Sequence, residues 1–274
     1  MGDSSPDTRR GPDGVDWAQW LQRHAEQPLA RVPDASTRGD TIVQVALVLV
    51  AALALQLVFV AFAATLLGGA DITRESAPVV FLALVQAVGL LAFLVAGLAY
   101  LRRRDDPTLV GIRRPTRHDI GTILVGFVVL VGIAYTTELL FEALGFELAQ
   151  NQAVIQGREN PELFLVFIPI QFLVTGPAEE LLFRGVVQGL LRRAYGVVPA
   201  IAVSSALFSL AHYSALIGEG DLLPAFLTLF LSGVVLGTLY EYSRTLLVPV
   251  VTHAVWNAFV FGTLYVGTVQ SIAW

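Results

Sequence analysis

Residues Ile42–Leu67 read IVQVALVLVAALALQLVFVAFAATLL, and residues Ala77–Tyr100 read APVVFLALVQAVGLLAFLVAGLAY; neither stretch holds a charged side chain. An α-helix needs about 20 consecutive apolar residues to cross the ~30 Å of hydrocarbon in a bilayer, so each stretch is long enough for one crossing. Working outward from them, five more apolar segments follow: Ile120–Leu140, Leu163–Leu191, Val197–His212, Leu222–Tyr242 and Thr245–Val269. The pattern predicts an all-α fold, a polytopic transmembrane bundle of seven to eight helices, with the eighth arising if the last segment splits. The fourth segment exceeds one simple crossing and contains Pro177, so it is expected to tilt, kink or protrude.

Composition agrees. The chain has 274 residues, 55% hydrophobic and 14% charged, where a soluble domain carries about a quarter charged. There is no cysteine, which excludes disulfides, a thiolate nucleophile and Cys-based metal sites. Every basic residue is arginine, so a catalytic lysine is excluded as well. The net charge of −5 gives no reason to expect a nucleic-acid partner. Residues 1–40 are rich in Asp, Arg, Pro, Gly and Ser and read as a flexible polar tail, with one short helix around Trp17–Gln27. Residues 41–274 then form the membrane domain.

The arginines set an orientation. Arg102, Arg103, Arg104, Arg113, Arg114 and Arg117 crowd the connection after the second segment. Cytoplasmic loops carry the excess of positive charge. Placing this loop inside also places the tail, Arg192, Arg193 and Arg244 inside, and leaves only Arg74 and Arg158 outside. The expected location is the cell membrane, multi-pass, with a cytoplasmic N-terminus and the C-terminus outside.

Charged groups in hydrocarbon are costly, roughly 2.5–3.5 kcal/mol each on insertion scales, and usually serve a purpose. The second half of the chain concentrates them. In Glu179-Glu180-Leu-Leu-Phe-Arg184, Glu180 and Arg184 are four apart on a helix and can pair, whereas Glu179 points elsewhere and has no local cation. A desolvated carboxylate of this kind suits a general base. His212 follows in Phe208-Ser-Leu-Ala-His212. His253-Ala-Val-Trp-Asn257 stacks an imidazole and an amide on one helix face, both able to donate to a developing oxyanion. Counted along helices from the arginine side, Glu179, His212 and His253 lie roughly 20, 22 and 13 Å into the bilayer. One shared site is therefore permitted. The structural alternative is that these groups hold helices together through hydrogen bonds.

Taken in order, Glu179-Glu180-x-x-x-Arg184, Phe208-x-x-x-His212 and His253-x-x-x-Asn257 resemble the motif set of the type II CAAX prenyl endopeptidase family, also called CPBP, over roughly residues 160–260. The resemblance implies an intramembrane endopeptidase that opens toward the cytoplasm. It implies that Glu179 activates water with help from His212, that His253 and Asn257 bind the oxyanion, and that Glu180, Arg184 and Phe208 support them. It implies no required metal. Zinc is the rival chemistry, with Glu179, His212 and His253 as three ligands and a fourth position open. The implied partners are membrane lipids and a prenylated or otherwise membrane-associated peptide. A noncatalytic scaffold or bacteriocin-immunity protein of the same fold is the competing function. A transporter is a weaker third, because no inverted repeat is visible.

Overall fold

The computed structural model describes residues 35–104, 109–147, 149–216 and 220–272. The expected tail and its short helix around Trp17–Gln27 fall almost wholly outside these residues; only 35–40 are described, and they form the first turns of a long helix.

The elements are α1 (Ala35–Gly69), α2 (Pro78–Arg104), α3 (Arg117–Ala143), the short α4 (Gln152–Glu159), α5 (Glu162–Tyr195), α6 (Val197–Ala211), α7 (Leu222–Ser243) and α8 (Leu247–Ile272). Among the described residues, seven helices are long and apolar enough to cross a membrane: all but α4. The chain is thus an all-helical, multi-pass membrane protein. The last segment does not split; α8 runs unbroken, so the described count is seven rather than eight. The stretch between α3 and α5, read from sequence as a loop, holds α4, whose N-terminus is capped by the Asn151 side chain.

Large apolar side chains face outward all along the bundle. Leu57, Val58 and Phe62 on α1 and Leu124, Val125 and Val128 on α3 are more than half exposed. In water such a surface would aggregate; in lipid it is solvated. The core lies along α5. Leu182, Phe183, Val186 and Val187 are fully buried and pack against Val45, Val48 and Ala52 of α1, Phe93 of α2, and Ala200 and Phe208 of α6. A second cluster joins Leu82 and Ala83 of α2 to Leu163, Phe164 and Phe167 of α5 and Phe261 of α8.

Helix α5 explains how an over-long apolar segment with two prolines stays one helix. It passes through two wide π turns, Gln171–Thr175 and Leu181–Gln188. Pro169 and Pro177 flank the first of them, and the Gly176 N–H reaches back five residues to the Gln171 carbonyl. A proline removes one backbone donor and crowds the preceding turn; a widened turn absorbs both and re-aims the side chains beyond it. Gly196, with φ of 89°, then reverses the chain into α6.

The arginines collect at one end of the bundle. There the Tyr195 hydroxyl donates to the Arg38 carbonyl, Arg104 bonds Gln44, Arg113 donates to the Ser243 carbonyl and pairs with Asp119, and Arg192 pairs with Glu241. The opposite end carries the α1–α2 connection with Arg74, helix α4, and the α6–α7 connection. These last two meet where the Ala149 N–H bonds the Asp221 carbonyl and where Asn151 bridges Leu216.

Candidate active site

Glu179 sits between the two π turns of α5, 6% exposed, and its Oε2 has no hydrogen-bond partner. Two imidazoles face that oxygen. His212 Nε2, from the C-terminal cap of α6, lies 4.0 Å away, and His253 Nε2, from α8, lies 3.9 Å away. Three elements distant in sequence therefore converge on one point.

The hydrogen bonds behind the rings fix their tautomers. His212 Nδ1 lies 2.8 Å from the Phe208 carbonyl, four residues back. A carbonyl only accepts, so Nδ1 carries a proton, and in the neutral ring Nε2 turns a lone pair toward Glu179. His253 Nδ1 lies 2.8 Å from Glu180 Oε1, again an acceptor. Glu180 is fully buried, and the same oxygen takes a 2.9 Å bond from Arg184 Nη1. The pairing expected of Glu180 and Arg184 is present, and Glu180 is shared with His253, which spacing alone did not indicate. Arg184 is 1% exposed; its guanidinium also donates to the Gly233 carbonyl and lies 4.4 Å from the centre of the Phe208 ring. Phe208 thereby touches three members of the set, packing on His212 at 4.6 Å and on His253 at 6.0 Å.

Asn257 is held differently. Its Nδ2 donates to Gln171 Oε1 at 2.9 Å, one turn beyond His253 on α8. Both Asn257 and Gln171 line the cavity that Glu179, His212 and His253 also line. Gln171 is 2% exposed. The sequence reading passed over it, although a glutamine in an apolar segment is itself a signal. It also passed over Gln188, Glu241 and Arg192. Gln188 donates to the Gly237 carbonyl and to Glu241, and Glu241 pairs with Arg192. Glu180, Arg184, Gln188 and Arg192 recur every fourth residue. An α turn overshoots such a spacing and a π turn undershoots it, so the π stretch Leu181–Gln188 followed by the α turn after it keeps the four near one line. The facing glycines, Gly233 and Gly237, are four apart on α7, a small-residue pattern that allows close helix approach. A Cβ on Gly233 would lie 2.9 Å from that of Ser205.

The separations bear on what the three facing groups can hold. Tetrahedral zinc, with bonds of about 2.0–2.2 Å, sets its donor atoms about 3.3–3.5 Å apart. The two imidazole nitrogens lie 3.9 and 4.0 Å from Glu179 Oε2. A water about 2.8 Å from each partner spans such separations with an angle of about 90° at its oxygen. Among the described residues, no group of three or more His, Cys, Asp or Glu side chains is arranged to hold a metal.

The cavity measures about 650 Å³. Its inner end is formed by Glu179, His253, Phe208 and Leu236, and its outer end by Arg74, Asn151, Gln152 and Ser214. The cavity thus extends from Glu179 and His253 toward the end opposite the arginines.

Comparison with known proteins bears on this region. The chain is 27% identical over 160 residues to the membrane-embedded CAAX protease MroQ of Staphylococcus aureus (strain USA300), a match covering 54% of this chain and 60% of that protein. It thus spans less than two thirds of its curated relative. No solved structure matches. Residues 161–259, which hold every side chain converging on Glu179, match the family model described as type II CAAX prenyl endopeptidase Rce1-like. Across those residues the chain is similar to the Rce1-like, type II CAAX prenyl endopeptidases.

Proposed function

We propose that the protein is an intramembrane endopeptidase that hydrolyses a peptide bond of a lipidated or membrane-associated peptide with a water activated by Glu179. The observation that carries this reading is the meeting of an unpartnered buried carboxylate oxygen with two imidazole nitrogens on the wall of a cavity.

The roles follow from donors and acceptors. Glu179 Oε2 and His212 Nε2 both accept, so a water between them gives one hydrogen to each and turns an oxygen lone pair toward the cavity. Attack on the peptide carbonyl carbon forms the new C–O bond while the water proton passes to Glu179. The tetrahedral oxyanion is met by Asn257, which has one Nδ2 hydrogen left after bonding Gln171. His253 serves as a second donor through Nε2 when it carries a proton on both nitrogens, since Nδ1 is committed to Glu180. That form brings the charge of the Glu179, Glu180, Arg184 and His253 cluster to zero. Collapse breaks the C–N bond, and Glu179 returns its proton to the leaving amine. No cysteine is available for a covalent route, and the separations around Glu179 Oε2 suit water better than tetrahedral zinc.

The test is cleavage of a synthetic farnesylated or transmembrane peptide by purified protein, followed by mass spectrometry. The expected result is one internal bond cut, with turnover retained in strong chelator. Absence of cleavage across both substrate types would overturn the protease reading. Loss of activity in chelator, restored by zinc, would overturn the metal-free mechanism.

A further inference from the structure

Attack on a peptide carbonyl turns its oxygen into an anion, and the donors that meet this oxygen set much of the rate. We infer that the Thr175 hydroxyl is a further donor to the oxyanion, beside Asn257 and His253, a role that rests on the protease reading above.

A hydroxyl in a membrane-spanning helix can satisfy itself on the carbonyl one turn back. Thr122, Thr137 and Thr252, all buried, donate in this way to the carbonyls of His118, Ile133 and Val248. Thr65, Thr228 and Thr238 do the same on their own helices. Thr175 is 6% exposed, yet its Oγ1 has no partner. The carbonyl one turn back from it belongs to Gln171, and there the first π turn of α5 brings in the Gly176 N–H as donor. The hydroxyl is left over where the helix widens. Burying a hydroxyl without a partner is destabilising, so the fold alone gives no reason for it.

The site does. Among the described residues, five buried side-chain atoms lack a partner: Arg38 Nε, Thr175 Oγ1, Glu179 Oε2, Glu180 Oε2 and Gln188 Oε1. Of these residues, only Thr175 and Glu179 line the cavity. They are one turn apart on α5, so the two spare atoms belong to one stretch of wall. Thr175 is also level with the donors on α8. At its neighbour Gly176 a Cβ would lie 3.1 Å from the Val250 carbonyl oxygen and 3.5 Å from the Cβ of Ala254. The two helices therefore approach closely beside Thr175, and His253 falls between those contacts. A peptide carbonyl standing over the water at Glu179 then has Thr175 on the α5 side and His253 and Asn257 on the α8 side. No base is bonded to Thr175 Oγ1, so the hydroxyl keeps its proton and serves as a donor rather than a nucleophile. Its bond strengthens as charge develops on the carbonyl oxygen, so its loss falls on kcat rather than KM.

Thr175→Val keeps the shape of the side chain and removes the hydroxyl; Thr175→Ser keeps the hydroxyl. Each purified variant is assayed for cleavage of the farnesylated and transmembrane peptides and for its unfolding midpoint in denaturing detergent. Thr252→Val serves as the reference for losing a bonded hydroxyl. Thr175→Val is expected to lose about 10²-fold in kcat with little change in KM, and Thr175→Ser to recover most of that loss. The midpoint of Thr175→Val is expected to stay or rise, because an unpaired buried group is removed, whereas that of Thr252→Val falls. Cleavage by Thr175→Val at the natural rate overturns the inference and leaves the protease reading standing. A midpoint lowered as far as in Thr252→Val overturns it too, since the hydroxyl is then structural, and so does a Thr175→Ser as slow as Thr175→Val. Absence of cleavage by the natural chain overturns the protease reading and the donor role together.

Discussion

Replacing Arg184 by methionine separates a buried charge from its partner while preserving volume and apolar contact. Arg184 and Glu180 are 1% and 0% exposed and 2.9 Å apart, so solvent cannot screen the carboxylate left behind. Breaking a buried pair from one side costs about 3–5 kcal/mol. His253 Nδ1 remains on the same Glu180 oxygen, and a proton there offsets part of the charge. The expected loss is thus at the lower end, about 3 kcal/mol, or on the order of 10² in the folding equilibrium. Equilibrium unfolding in mixed micelles with rising fractions of denaturing detergent measures it. The double variant Glu180→Gln/Arg184→Met removes both charges and is expected to cost less than Arg184→Met alone, because the two residues are coupled. A loss under about 1 kcal/mol, as for an exposed pair, or a double variant equal to the sum of the singles, would refute the reasoning.

Other expectations follow from particular contacts. Gly233→Ala forces a Cβ to within 2.9 Å of Ser205 and is expected to cost about 1–3 kcal/mol by overpacking. Gly262→Ala, with nothing within 4 Å, is expected to be neutral or up to about 1 kcal/mol stabilising; the same unfolding assay separates the two. Asn257→Ala should lower kcat about 10²–10³-fold, the usual effect of losing one oxyanion donor, with little change in KM if the bond forms only in the transition state. His212→Ala should cost about 10²–10⁴-fold in turnover while moving the unfolding midpoint little, because the ring is partly exposed and is not part of the Glu180–Arg184 pair. Steady-state kinetics on a peptide substrate checks both.

How much of this was legible in the sequence depended on range. The helices were, because a twenty-residue apolar run has one stable solution in lipid. The Glu180–Arg184 pair was, because four residues on a helix set the contact. The meeting of Glu179, His212 and His253 was permitted by depth along each helix, but helix rotation decides whether groups at one depth face one another, and rotation is set by packing from many residues. The same limit hid the bond of His253 to Glu180, of Asn257 to Gln171 and of Gln188 to Glu241. Pro177 pointed to a kink; the π turns that accommodate it and Pro169 without breaking α5 had no signal in local spacing. The course of the cavity was beyond sequence reasoning altogether, since it depends on how the helices pack against one another.

The central claim is that Glu179, and not its neighbour, activates the water. Activity and stability of Glu179→Gln and Glu180→Gln, measured side by side, separate the two. Glu179 Oε2 is buried without a partner, so its loss as a carboxylate is expected to abolish turnover by about 10²–10⁴-fold while leaving stability unchanged or raised. Glu180→Gln, which strands Arg184, is expected to unfold more readily. Turnover by Glu179→Gln equal to that of the natural chain would contradict the account.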